Sequence, residues 1–138
     1  MKLSLNILKK KKIGILGFGI EGKDTFEYLI KHDLKAVIFD QTENAEFYKQ
    51  NPNLGPGVKT FLGNNYLERL SEVDMVFKTP GIPILKPEIQ VAIKNGVIFT
   101  SQIEYFFNQS PAKIIGVTGT KGKGTTVTLI YEILKKGR

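Results

Sequence analysis

The stretch KIGILGFGIEG, residues 12–22, runs an apolar segment into a glycine-spaced turn. Lys12 to Leu16 has the length and composition of a short buried strand. Thr25 to His32, just beyond the turn, carries Phe26, Leu29 and Ile30 at helical spacing. Between them Gly17, Gly19 and Gly22 make a G-x-G-x-x-G. In a strand–turn–helix the first glycine permits the tight turn and the second lets backbone approach a phosphate. The third lets the helix pack on the strand. KAVIFD, residues 35–40, is a second apolar strand, and Asp40 ends it 21 residues beyond Gly19. A dinucleotide fold sets an acid on a ribose at that place. Glu21 lies inside the motif, where a carboxylate repels a phosphate, so contact there is expected from backbone amides alone.

Working outward, the same alternation continues. Residues 43–50 can form a short helix, and 51–57 are a Pro/Gly turn region. VKTFL (58–62) and VDMVFK (73–78) are third and fourth strands. Pro87 fits the first turn of a helix with Ile89, Ala92 and Ile93 on one face, stopped by Asn95-Gly96. GVIFT (96–100) is a fifth strand. IEYFFN (103–108) is a short helix whose aromatics are expected in the core. AKIIGVT (112–118) is a sixth strand, followed by a helix over Thr125 to Lys136 with Val127, Ile130, Tyr131 and Leu134 as its apolar face. Strands alternating with helices predict an α/β fold: a Rossmann-like parallel sheet flanked by helices, with right-handed crossovers. Gln109-Ser110-Pro111 is the candidate linker. Residues 1–110 would then be a complete domain, and 111–138 the first strand, phosphate loop and helix of a second.

That second segment holds the sharper motif. VTGTKGKGTT, residues 117–126, lies between an apolar run and a helical pattern. Backbone N–H groups of such a loop and the following helix N-terminus bind phosphate oxygens. Lys123 adds a positive charge beside the terminal phosphates. The usual G-x-x-x-x-G-K-[ST] is departed from twice: Val117 stands at the first glycine, and Gly124 at the magnesium-binding hydroxyl. Thr125 or Thr126 is left to supply that hydroxyl. Thr79-Pro80-Gly81 follows the fourth strand, at the carboxyl edge where open α/β sheets bind ligands; a stiff turn is the competing explanation.

Composition narrows the class. With 138 residues, 41% of them hydrophobic and 24% charged, the chain has the balance of a globular domain. Twenty Lys and Arg against 13 acids give +7, partly from Lys9 to Lys12 and from Lys135, Lys136 and Arg138 at the ends. Such lysines are expected to be solvated, and no nucleic-acid-binding motif accompanies them. Zero cysteines exclude a disulfide framework and thiolate metal sites. The single histidine, His32, excludes a Ser/His/Asp set or a histidine-rich metal cluster. The lysines follow the first apolar stretch rather than precede it, unlike a signal peptide. No segment approaches a membrane span. A cytoplasmic protein without a nucleic-acid or membrane partner is expected, and a monomer.

GFGIEG, FD at the end of the second strand, TPGI after the fourth, QIEYFF and GVTGTKGKGTT occur in an order that resembles the Mur ligases, over about residues 12–136. The resemblance implies a first domain that holds a UDP-sugar and a central ATPase domain opening with the phosphate loop. The chain matches the first and only the beginning of the second, so it is expected to be truncated and inert by itself. The implied reaction uses ATP and Mg2+: a carboxylate of the nucleotide-sugar is phosphorylated, and an amine attacks the acyl phosphate. In the branch the motifs fit best, the substrates are UDP-N-acetylmuramoyl-L-alanine and D-glutamate. Mapped here, the resemblance implies that the backbone at Ile20 and Glu21 faces the diphosphate, with Gly17, Gly19 and Gly22 also among the UDP-sugar-binding residues. Asp40, Gln41 and Thr42 meet the uracil, and Thr79, Pro80 and Gly81 the sugar-diphosphate region. Gly119, Thr120, Lys121, Gly122, Lys123, Gly124 and Thr125 hold ATP, with Lys123 catalytic and Thr125 on magnesium. The arginine often found two positions after the uracil-binding acid is Thr42 here, and GKGT resembles the related folylpolyglutamate synthases, which lack the preceding domain. A non-catalytic NAD- or nucleotide-binding module is the competing class, and another Mur ligase the nearer one.

Overall fold

Five of the apolar runs become five parallel strands in the computed structural model, which describes residues 3–137. Met1, Lys2 and Arg138, the outermost residues of the two expected domains, lie outside the described residues. The strands are β1 (Ile13–Leu16), β2 (Ala36–Asp40), β3 (Thr60–Leu62), β4 (Met75–Lys78) and β5 (Ile98–Thr100), in the order β3-β2-β1-β4-β5. Ile13 is opposite Ala36 on one side and Met75 on the other, so the strands begin nearly level. The chain winds outward from β1 to β3, then crosses back to β4 on the other flank of β1. That reversal is a topological switch point.

Burial on both faces explains the near-continuous apolar strands. Alternate residues feed separate cores. Ile13, Ile15, Ile38, Met75 and Phe77 join Leu29, Phe47 and Tyr105 on one side. Leu16, Phe39 and Val76 join Ile89, Ala92 and Leu70 on the other. The first side is covered by α1 (Leu5–Leu8), α2 (Ile20–Lys31), α3 (Asn44–Gln50) and α5 (Gln102–Gln109). The second is covered by α4 (Pro87–Lys94) and the 3₁₀ turn Leu70–Glu72. Asp33, at φ 58°, takes the left-handed position after α2, and Leu34 N–H closes the helix on Leu29 O at 2.9 Å. Ser101 begins α5 by accepting a hydrogen bond from Glu104 N–H at 3.1 Å, the start of a capping box.

Several expectations are corrected. Residues 112–118 form no strand, because an isolated apolar run has no ladder to join and no element pairs with it. The parallel sheet therefore has five strands among the described residues. The helix after the phosphate loop does form, as α6 (Lys123–Lys136), but none of its residues is buried, Val127, Tyr131 and Leu134 being more than half exposed. In α5 only Tyr105 enters the core; Phe106 is 60% exposed and Phe107 47%. Ile93 of α4 also faces outward, and α2 starts at Ile20, five residues before the apolar periodicity does.

Tyr105 packs edge-on to Phe77 and Tyr28, and its hydroxyl lies 3.3 Å from that of Tyr28. Burial first, and then this hydrogen bond, pushes its ionisation well above the ordinary tyrosine value near 10. The fold thus holds the neutral phenol. Its contribution is complete below pH 10 and is lost as pH climbs from there toward the raised folded value. Tyr105→Phe should flatten the alkaline fall in thermal stability, measured by melting between pH 9 and 11.5.

Candidate functional site

At the switch point the loops after β1, β2 and β4 enclose a cleft of about 390 Å³. Its walls come from backbone constraints that the sequence already carries. Gly17 turns the chain out of β1 at φ 89°, with its N–H donating to Phe39 O at 2.8 Å. A Cβ there would lie 2.3 Å from Thr79 Oγ1, so the first glycine is required by both conformation and space. Gly22 packs the first turn of α2 so closely that a Cβ would lie 2.1 Å from Gly17 O. Gly19, the N-cap of α2, has nothing within 4 Å of its Cβ position and lines the cleft. The open middle glycine and the unpaired first N–H groups of a 12-residue helix are what an anionic group needs for close approach.

Asp40 braces this turn. Its Oδ2 accepts from Phe18 N–H at 2.6 Å and its Oδ1 from Thr42 N–H at 2.9 Å. Each oxygen keeps a further acceptor position toward the cleft. On the opposite wall Thr79 Oγ1 donates to Leu16 O at 3.2 Å, which ties the TPGI loop to the end of β1. Lys78 Nζ donates to Thr79 O at 2.9 Å and Ile82 O at 2.7 Å, clamping that loop from below.

The structure gathers Gly17, Gly19, Asp40, Gln41, Thr42, Thr79 and Gly81 around one cleft. Ile20 is 84% exposed at the helix start, outside the lining. Glu21 and Pro80 face instead a neighbouring, largely apolar cavity of about 700 Å³ beside α5. Glu21 is thereby turned away from the place where its charge would oppose an anion. Phe47, Asn51, Tyr66 and Lys86 also line the cleft and were not legible as site residues. Lys86 is the only cation in the lining among the described residues. Pro87 at N1 fixes where α4 begins, which leaves Lys86 as its N-cap residue with Nζ 5.7 Å from the centre of the Tyr66 ring.

The second loop has its own local order. Gly122 is the N-cap of α6 at φ 78°, and Lys123 reaches back to donate from Nζ to Gly119 O. The ammonium thus sits across the mouth of the loop, and Lys121 precedes the cap. This loop, with free N–H groups at the start of a 14-residue helix, fits a phosphate chain. Thr126 Oγ1 donates to Gly122 O at 3.0 Å, while Thr125 shows no such bond among the described residues. No group of three or more His, Cys, Asp or Glu able to hold a metal occurs among them.

An open, doubly wound α/β domain with its cleft at the switch point is the class these features define. The family described as Mur ligase MurD-like, N-terminal domain, matches residues 11–101, and the chain belongs to it. Over 132 residues the chain is 38% identical to a UDP-N-acetylmuramoylalanine–D-glutamate ligase of Clostridium botulinum (strain Hall), covering 95% of this chain and 29% of that protein. It is 42% identical over 130 residues to the enzyme of the same name from Clostridium kluyveri, covering 94% of this chain and 28% of that one. The chain thus spans less than a third of the length of the curated relatives it matches. The crystal structure of UDP-N-acetylmuramate-alanine ligase MurC from Thermotoga maritima shares the fold. Its TM-score is 0.55 at 24% identity, covering 91% of this chain and 29% of that one. No helix among the described residues is long and apolar enough to cross a membrane.

Proposed function

We propose that residues 1–110 bind the UDP-sugar of an ATP-dependent carboxylate–amine ligase of peptidoglycan precursor synthesis, and that residues 111–138 open its ATP-binding domain. The substrates would be UDP-N-acetylmuramoyl-L-alanine and D-glutamate, as the names of the relatives suggest. The observation that carries this reading is the convergence of the glycine turn, Asp40 and the TPGI loop on one cleft. In it the diphosphate would lie on the open backbone at Gly19 and the start of α2, the uracil beside Asp40, Gln41 and Thr42, and the sugar end along Thr79 and Gly81. At the second loop ATP would be held through Gly119 to Thr125, with Mg2+ beside Thr125. The γ-phosphoryl group passes to the alanine carboxylate and ADP leaves. The amine then attacks the acyl carbon and phosphate departs. Such an enzyme works in the cytoplasm, and a monomer suffices for this chemistry.

An NAD-binding module would use the same glycine turn and the same acid at the end of β2. Calorimetric titration of the chain separates the two readings. UDP-N-acetylmuramoyl-L-alanine should bind more tightly than NAD, and the reverse order would overturn the ligase reading.

Lys86 supplies a finer expectation. As the sole cation of the cleft lining among the described residues, it offsets ligand charge that the backbone at Gly19 offsets only in part. A hydrogen bond to a charged group contributes about 1.5–3 kcal/mol, so Lys86→Ala should weaken UDP-sugar binding roughly tenfold to a hundredfold. Lys86→Arg should recover most of the loss. An unchanged dissociation constant for Lys86→Ala would remove the lysine from the site.

A further inference from the structure

The opposite end of the sheet carries a second concave site, and nothing in the ligase reading uses it. Lys12, Lys35 and Lys59 each stand immediately before the first residue of β1, β2 and β3. These three strands are adjacent and parallel; Ile13 pairs with Ala36, so Lys12 and Lys35 stand level, while Thr60 pairs with Ile38, so Lys59 stands two residues further along the same end of the sheet. In sequence they are 23 and 24 residues apart, and no charge run reveals them as a set. Lys9 and Lys11, from the segment after α1, join them around a cavity of about 750 Å³. Five lysines line it, against the two carboxylates of Asp33 and Glu72.

The carboxylates do not neutralise the group. Glu72 is held by Lys59 at 2.7 Å and by Arg69 at 2.6 Å, so it is shared with a cation outside the cavity. Those two hydrogen bonds keep its carboxyl below the usual range. Asp74, close by, accepts the Lys12 main-chain N–H at 2.7 Å through Oδ2. Lys9, Lys11, Lys12 and Lys35 make no ion pair among the described residues. Lysines scattered on a convex surface are solvated separately, and their mutual repulsion is small. Here rigid strand ends hold them around one depression, where low-dielectric walls reinforce a shared positive potential. A compact anion with several charges would relieve that repulsion and meet several ammonium groups at once, whereas a monovalent one would meet no more than one or two.

We propose that this cavity binds a small polyphosphate-type anion, at a site separate from the nucleotide cleft. Gly17, Asp40 and Thr79 lie beyond the carboxyl ends of their strands and the lysines before the amino ends. Lys12 and Gly17, on either side of the four residues of β1, are five steps apart, which separates the two sites by roughly 16 Å at about 3.3 Å per residue. Occupancy of one leaves the other open, and the sheet between them is the shared element.

The test uses inorganic tripolyphosphate as probe, at low ionic strength, with amide resonances of the 138-residue chain as readout. Saturable shifts are expected at residues 12, 35, 59 and 71, apart from those that the probe produces at 119–124. Orthophosphate should bind at least tenfold more weakly, and the response should fade as salt rises. The double variant Lys12→Gln/Lys35→Gln should weaken the effect at the strand entrances tenfold or more, with the shifts at 119–124 unchanged. Each glutamine removes the charge while keeping an unbranched polar side chain, and an unchanged dispersion of resonances shows that the variant folds. Shifts confined to 17–22 and 119–124, or an affinity untouched by the double variant, would overturn the proposal. Equal binding of hexaglutamate at the same residues would overturn its phosphate character and make the face a docking surface for an acidic polypeptide.

Discussion

Gly22→Ala is expected to lower the stability of the chain by about 3 kcal/mol, the upper part of the range for forced overpacking. The added methyl would lie 2.1 Å from Gly17 O and 3.0 Å from Gly17 C, and main-chain atoms cannot rotate aside as a side chain can. Gly17 is itself fixed, by its N–H on Phe39 O and by Thr79 against its α-carbon. The clash can be relieved only by lifting α2 from the sheet, which would pull Leu29 out of the core it shares with Ile15 and Phe77. Against a typical total of about 5–15 kcal/mol, such a loss shifts a denaturant midpoint far enough to be measured without ambiguity. Gly19→Ala is the matched comparison. Its methyl meets nothing within 4 Å and its backbone is ordinary, so stability should change by less than about 1 kcal/mol. That methyl would occupy the space a ligand needs beside the helix start, so UDP-sugar binding should fall although the fold survives. Equal stability losses in the two variants would mean that the turn is packed differently from this account.

The division of labour among these glycines was visible in the sequence, because the spacing of a strand–turn–helix leaves little choice about which glycine meets what. The five strands were visible for a related reason. Runs such as IGIL and MVFK are apolar at consecutive positions because both faces of a parallel sheet are covered. The signal failed where an element depends on partners elsewhere. Residues 112–118 are as apolar as β1 but have no neighbouring strand to pair with, and stay unpaired. Leu8, on a four-residue helix too short to show a period, and Leu3, just before that helix, sit in the core. Gln109 anchors that segment by donating from Nε2 to Leu3 O across the whole domain, a link that no local pattern encodes. Phe106 and Phe107 were expected inside on hydrophobicity alone, but a two-turn helix with Tyr105 inward must send its neighbours out. At the cleft, Gly17, Gly19, Asp40, Gln41, Thr42, Thr79 and Gly81 come from motifs the sequence displays, Ile20, Glu21 and Pro80 of the same motifs fall outside its lining, and Lys86 and Tyr66 carried no sequence signal. They come from segments whose place on the rim is set by the crossover into α4. Lys12, Lys35 and Lys59 become a set only once the strand order is known.

In the longer protein to which we assign the chain, Lys123→Ala should lower kcat by about a hundredfold or more, on the order of 3 kcal/mol of transition-state stabilisation. The ammonium lies across the mouth of the glycine loop, on Gly119 O, at the start of α6. A phosphate chain entering the loop would exchange that carbonyl for its own oxygens. Charge on the transferred group is redistributed as the bond to the leaving oxygen breaks, so a fixed cation beside it stabilises the transition state more than the bound nucleotide. The loss should therefore appear in kcat more than in the apparent affinity for ATP. Lys121 provides the control for net charge. It stands before the N-cap and is exposed, so Lys121→Ala should cost less than about tenfold. Binding of the UDP-sugar should survive both changes, since its cleft is built from the loops after β1, β2 and β4. If Lys121 proved the more damaging position, the loop would hold its phosphates in a different register, with the earlier lysine over the terminal group.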